Sequence, residues 1–128
     1  MRSFSFFRGI PVGTIVPFAG TLDAVKRVES EGSFLLCDGR PVDVNVYPEL
    51  AEALGTSWGG DKSAAVHLPD FRGMTLRGVN YTYYPDTAHS RAGTARDNVG
   101  AYERTGATAT TPGRAPSSAA LWFLIRVK

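Results

Sequence analysis

Apolar and polar positions alternate along this chain only in short bursts, and a turn signal cuts each burst. Residues 12–19, VGTIVPFA, are rich in β-branched and aromatic side chains but carry Pro17 among them. Proline cannot donate to a ladder, so the pattern predicts an edge or bent strand. Residues 20–32 are polar and read as a loop exposing Asp23 and Lys26. The run Phe34-Leu35-Leu36-Cys37 predicts a short buried strand ending in an Asp38-Gly39 turn. In YPELAEALG, Pro48 suits the first helical position, and Tyr47, Leu50, Ala51 and Leu54 recur at helical spacing. Gly55 supplies a left-handed stop, so a helix of about two turns is predicted here, the one helix expected in the chain.

Beyond it, SWGGDK at 57–62 reads as a turn-rich loop around Trp58. In HLPDFRG, Pro69 breaks any ladder before a short strand expected over MTLRGV, residues 74–79. A different composition runs from Thr87 to Ser118. Of its 32 residues, 22 are Ala, Thr, Gly, Ser or Pro, and Val99 and Tyr102 are its only sizeable apolar side chains. Such a segment cannot build a core of its own. AALWFLIRV, 119–127, then gives the strongest strand pattern of the chain. The expected organisation is an N-terminal segment (1–11), a domain over 12–80, a long Ala/Thr/Gly/Arg-rich loop over 81–118, and a closing strand (119–128) returning to the same domain. Loops of that length are usually functional or ordered by a partner, and contact between identical copies is the simplest way to order this one. The fold class that follows is mainly β with one short helix, α+β.

Composition sharpens this picture. The 128 residues suit one domain that buries roughly two-thirds of its unfolded surface. Gly and Pro together supply 22 residues, which disfavours a helical bundle. A single cysteine forms no intrachain disulfide, and no apolar run approaches a membrane span. MRSFSFFRGIPVG lacks the apolar core of a signal peptide, so a product made and kept in the cytoplasm, or released on lysis, is expected. Net charge is +2, unevenly spread: residues 1–71 carry six basic and nine acidic side chains, residues 72–128 eight basic and three acidic. Seven of those eight are arginines, whose planar forks suit carboxylate or phosphate. Two readings of the bias stand, an anionic partner or a solvated surface with ion pairs between subunits, and the second is the commoner use of surface charge. With no basic helix and no interleaved aromatic stripe, nucleic acid is not an expected partner.

Candidate chemistry is sparse. Cys37 beside Asp38 has the outline of a nucleophile, but a catalytic cysteine needs a base, and His67 and His89 lie in no nucleophile context. Within an apolar run cysteine behaves as a small hydrophobe, and Asp38 reads as a turn former bonding nearby backbone N–H groups. One Cys and two His do not reach a zinc set, and Asp86, His89 and Asp97 form only a loose one. The Gly59-Gly60 pair follows the helix instead of feeding one, so it reads as a tight loop, not a phosphate cradle. Neither a nucleophile elbow nor a carboxylate pair for glycoside cleavage is signalled. No cofactor, no metal and no enzymatic activity are expected. Tyr81, Tyr83 and Tyr84 suit either contact with sugar or protein, or packing beneath the long loop.

Several of these segments, in order, resemble a known family. GTIVPFAG, SFLLCDGRPVDVNVYPELAEALGTSWGGD and HLPDFRGMTLRGVN are similar to the phage tail-collar domain of short and long tail fibres. The resemblance rests on a Gly-x-Ile start, a Leu-Cys-Asp-Gly turn, a Tyr-Pro-x-Leu helix ending in Gly, a Gly-Gly-Asp loop and a Leu-Pro-Asp-x-Arg-Gly segment. Arg77-Gly78-Val79-Asn80, Pro85-Asp86, Arg91, Asn98 to Tyr102 and the closing strand continue it more loosely. Metal-bearing fibre tips of this kind carry His-x-His pairs before the last strand, whereas Thr105 to Ser118 contain no histidine. The resemblance implies a structural corner at Cys37-Asp38-Gly39, and a homotrimer in the virion tail or in a contractile injection system, assembled in the bacterial cytoplasm. It implies other tail fibre or baseplate proteins as partners. It also implies, for some members, contact with the host surface. Tyr81, Tyr83, Tyr84, Arg91, Arg96, Arg104 and Arg114 are the expected contact region, with an anionic surface glycan or phosphate as the natural target of the arginine forks. The competing expectation is a purely structural tail or baseplate adaptor, because only about eleven residues precede the collar-like stretch and leave no room for a shaft.

Overall fold

The computed structural model describes residues 9–79, 99–102 and 117–128. Two compact units are present, Met1–Thr75 with Leu121–Lys128, and Leu76–Ala120. The first holds every helix and strand among the described residues, in the order β1 (Ile15–Phe18), α1 (Leu22–Ser30), β2 (Phe34–Leu36), β3 (Pro41–Asp43), α2 (Pro48–Leu54), β4 (Ala65–His67) and β5 (Trp122–Arg126). It is a small α+β fold, mainly β, with antiparallel sheets and two short helices.

A three-stranded sheet takes the order β1-β5-β2, so the last strand occupies the centre. Ile15 lies opposite Ile125 on one side, and Leu35 lies opposite Ile125 on the other. Gly13 and Thr14 together face Arg126: Gly13 N–H donates to the Arg126 carbonyl at 2.9 Å and Arg126 N–H to the Thr14 carbonyl at 3.0 Å. That arrangement is a β-bulge, and it bends the chain as it enters β1. β3 and β4 pair separately, with Val42 opposite Val66.

The alternation of β5 sorts its side chains between two layers. Ile125 and Val127, with Phe123 beside them, join Cys37, Val42, Leu50, Ala51, Val66 and Leu68 in the main core, under α2 and the β3–β4 ladder. Leu124 points to the opposite face and is also buried. α1 packs along β2 and buries Val25 completely. Each fully buried aliphatic side chain contributes on the order of 1.5–3 kcal/mol by leaving water.

α1 corrects the expectation of a loop over 20–32. The helix buries Val25 fully and covers Ala24 and Val28 in part, so its apolar face, Leu22, Val25 and Val28 at three-residue spacing, is narrow and set among charged residues. Its ends add further signals: Thr21 accepts the Ala24 N–H at 3.2 Å, Asp23 sits in the first turn and Arg27 in the last. α2 forms where Pro48 and Gly55 place it, with Gly55 at φ 54°. The strand expected over 74–79 is also corrected, because those residues are exposed and carry no ladder. Met74 and Leu76 alternate, but neither is covered. Their pattern lacked the burial that sustains a half-buried strand.

The second unit, among its described residues 76–79, 99–102 and 117–120, contains a turn at Val99–Gly100 and no helix or strand. Leu76, Val79, Val99 and Tyr102 are exposed there. No helix among the described residues is long and apolar enough to cross a membrane.

Candidate functional site

Tyr81, Tyr83, Tyr84, Arg91, Arg96, Arg104 and Arg114 lie outside the described residues, as do Asp86, His89 and Asp97. The remaining candidates gather at one corner of the first unit. Cys37–Arg40, following β2, runs antiparallel to Pro69–Arg72, following β4, with a bridge between Asp38 and Asp70. Gly39 N–H donates to the Pro69 carbonyl at 3.2 Å, and Phe71 N–H to the Cys37 carbonyl at 3.4 Å. Gly39 adopts φ +80°, and a Cβ there would lie 3.2 Å from the Asp70 Cβ, so the close approach selects glycine twice over.

Both arms of the corner repeat one pattern, Asp-x-Arg. The Asp38 carboxylate accepts Arg40 Nε at 2.9 Å, Arg40 Nη2 at 2.8 Å and the Arg40 backbone N–H at 3.2 Å. Asp70 accepts the equivalent three donors of Arg72 at 2.9, 2.8 and 3.2 Å. The planar guanidinium meets each carboxylate along both oxygens, the geometry that makes such pairs strong for their exposure. The Arg40 fork and N–H hold Asp38 below the ordinary carboxylate range, against the opposing pull of burial. Arg72 does the same for Asp70, which falls to about 2. Arg40 has a further partner, Glu29 of α1, at 3.0 Å, and Glu29 Oε2 also accepts the Leu36 N–H at 3.0 Å. One carboxylate thereby ties α1 to both β2 and the corner.

Inside this frame the Cys37 thiol is buried. Burial pushes it up to about 12, and the charges of Asp38 and Asp70 push the same way. It stays protonated at physiological pH and lacks the thiolate a nucleophile requires. Asp38 is the turn former expected of it. Sequence reasoning missed Glu29, Arg40, Asp70 and Arg72, although the repeated Asp-x-Arg spacing signals the two forks. Glu29 is invisible without α1.

The remaining motifs read as architecture. In the loop after α2, Gly60 adopts φ +94° and bridges to Val66, where a Cβ would run into the Ala65 carbonyl. The Asp61 carboxylate accepts the N–H groups of Ser63 and Ala64 at 3.1 Å each, so the loop spends its donors on its own side chain. Trp58 stands edge-on to Phe71, and Phe71 to Phe123, with ring centroids 5.4 and 5.9 Å apart. His67 lies on β4 opposite Pro41. Among the described residues no group of three or more His, Cys, Asp or Glu is placed to hold a metal ion.

This corner, with the helix capped by Pro48 and Gly55 and the loop around Gly60, falls within residues 13–76, half of the chain, which match the Phage Tail Collar Domain. The chain belongs to the phage tail collar family. Membership makes the collar a structural module of the tail-fibre type, in keeping with a corner whose charged groups all face one another. The collar-bearing chain is also similar to Protein RhiB of Rhizobium leguminosarum biovar viciae, with 31% identity over an alignment covering 59% of this chain and 48% of that protein. The chain thus spans about half the length of the curated relative it matches.

Proposed function

We propose that this protein is a non-enzymatic subunit of a phage tail fibre or baseplate, in which three copies join to form a tip that contacts the host surface. The observation that carries the reading is the collar match over residues 13–76, joined to a sheet whose central strand, β5, comes after residues 76–120 in the chain. A scaffold held at both ends of a segment this poor in large side chains suits the display of a contact surface. Three weak contacts on one trimer act together, so modest single-site affinity becomes strong avidity. Tyr81, Tyr83, Tyr84, Arg91, Arg96, Arg104 and Arg114 are the proposed contact residues. Anionic glycan or phosphate on the host is the proposed target, because arginine forks bind such groups bidentately.

Two measurements test this in sequence. Light scattering on the purified chain should give three times the 13.8 kDa chain mass. Replacing Arg91, Arg96, Arg104 and Arg114 together with Ser should abolish binding to host cells while leaving that mass unchanged, and unaltered binding would sink the contact surface.

One observation favours a second setting: the relative comes from a bacterium, which fits a contractile injection particle encoded by the cell, with the chain as a structural adaptor. Deleting the gene decides between the two roles. Loss of particles supports the adaptor, whereas intact particles that fail to adsorb support the receptor-binding tip.

A further inference from the structure

Among the described residues, the sheets of the first unit present three free strand edges, and on each an outward position that an added strand would use as a hydrogen-bond donor is missing or already taken. In an antiparallel ladder, inward and outward N–H groups alternate. Along β1, the Arg126 N–H bond to the Thr14 carbonyl makes that pair inward-bonded, so Val16 and Phe18 follow it and Pro17 faces out. Pro17 is exposed on that edge and has no N–H to offer. Along β3, the bonds from Leu68 N–H to the Arg40 carbonyl and from Val44 N–H to the Ala64 carbonyl, both 3.0 Å, turn Pro41 and Asp43 outward. A second proline and a carboxylate therefore occupy the second edge.

The third edge is closed differently. On β2, the Cys37 N–H bond to the Phe123 carbonyl at 2.9 Å turns the Leu36 N–H away from the sheet. That outward donor is taken by Glu29 Oε2 at 3.0 Å, and Arg40 holds the carboxylate in place at 3.0 Å. The outer side of β4 is meanwhile covered by the chain's own Gly60 bridge and by the His67 N–H bond to the Gly59 carbonyl at 3.1 Å. Exposed edges are templates for pairing with another chain, and proline, charge and covering are the means that suppress it.

We propose that Pro17, Pro41 and Glu29 are edge guards, which keep copies of this chain from joining strand to strand and confine association between copies to side-chain faces. The partner they exclude is a second copy presenting the same edge. A particle component that gathers many copies at high local density would otherwise template open-ended ribbons. The role is independent of how many copies the particle holds.

The test uses the full chain and four variants: Pro17→Val, Glu29→Ala, Glu29→Gln and the double variant Pro17→Val/Glu29→Ala. Circular dichroism and thermal melting establish folding, and light scattering across a concentration series reads the mass. The parent should keep a constant mass. The double variant should rise by about twofold or more with concentration, with thioflavin fluorescence appearing alongside. Glu29→Gln keeps an oxygen that accepts the Leu36 N–H and should behave as the parent. Exchange of the Leu36 amide should quicken in Glu29→Ala and stay slow in Glu29→Gln. A folded double variant whose mass matches the parent at every concentration overturns the proposal. Should the double variant fail to fold, Pro17→Val decides alone, because Pro17 is exposed and outside the core: a rising mass supports the guard and a constant mass refutes it.

Discussion

The two arms of the Cys37 corner share one local design and differ in everything around it. Asp38-Gly39-Arg40 and Asp70-Phe71-Arg72 fold the same fork with the same donor distances. The Arg40 side chain is 37% exposed and bridges to α1, whereas that of Arg72 is 70% exposed and pairs with Asp70 of its own arm. Their middle residues diverge too. Glycine lets the first arm pass close to Asp70, while Phe71 in the second sits between Trp58 and Phe123. A repeated motif thus takes its energetic weight from what surrounds it, not from its own hydrogen bonds.

Four experiments separate the arms. Phe71→Ala removes the ring that links Trp58 to Phe123 and should destabilise the fold by about 3 kcal/mol in denaturant unfolding, the low end for such truncations because Phe71 is only half-buried. Gly39→Ala forces a Cβ into a left-handed turn facing Asp70 and should lose about 2 kcal/mol. Arg40→Ala leaves Glu29 and Asp38 without their shared partner. It should lose about 1–2 kcal/mol, and Arg72→Ala, at a solvent-exposed pair, distinctly less; equal losses would erase the contrast between the arms.

Acid supplies the smallest and most discriminating test. Both carboxylates titrate below their ordinary 3.8, Asp70 at about 2, because guanidinium and backbone N–H groups favour the charged form. A carboxylate depressed in the folded state stabilises that state above its unfolded value near 3.9, and the benefit fades as pH falls through the folded value. Stability should therefore drop as pH falls from about 4 toward about 2, and the drop should shrink in both Asp38→Asn and Asp70→Asn. Raising salt to about 1 M should bring the carboxyl of exposed Asp70, followed by NMR, back toward 3.8 further than that of Asp38.

Much of the frame was legible in the sequence, where punctuation marked it. Pro48 and Gly55 bracket α2, and Pro17 assigns β1 to an edge, where it stands. The apolar run at Phe34 yields β2, three residues long, and the Leu-Trp-Phe-Leu-Ile run yields β5. α1 escaped because its apolar face, Leu22, Val25 and Val28, is short and outnumbered by polar residues, and β3 and β4, three residues each, are too short for alternation to register. At the corner, Cys37 and Asp38 were readable as structure. The arginines and Glu29 that complete it were not, because their meeting depends on α1, β2 and the Pro69 segment arriving together. The proposed contact residues lie outside the described residues.

The central place of β5 also has a consequence for how the protein is made. Ile15 and Leu35 leave the ribosome long before Ile125, the residue both of them flank. At about 5–20 residues per second, the first two strands wait on the order of ten seconds for the one that joins them. During that interval a nascent chain carries apolar strands without their mate, so a chaperone that shields the emerging polypeptide should raise the yield of folded product, and slowing translation across residues 76–120 should lower it.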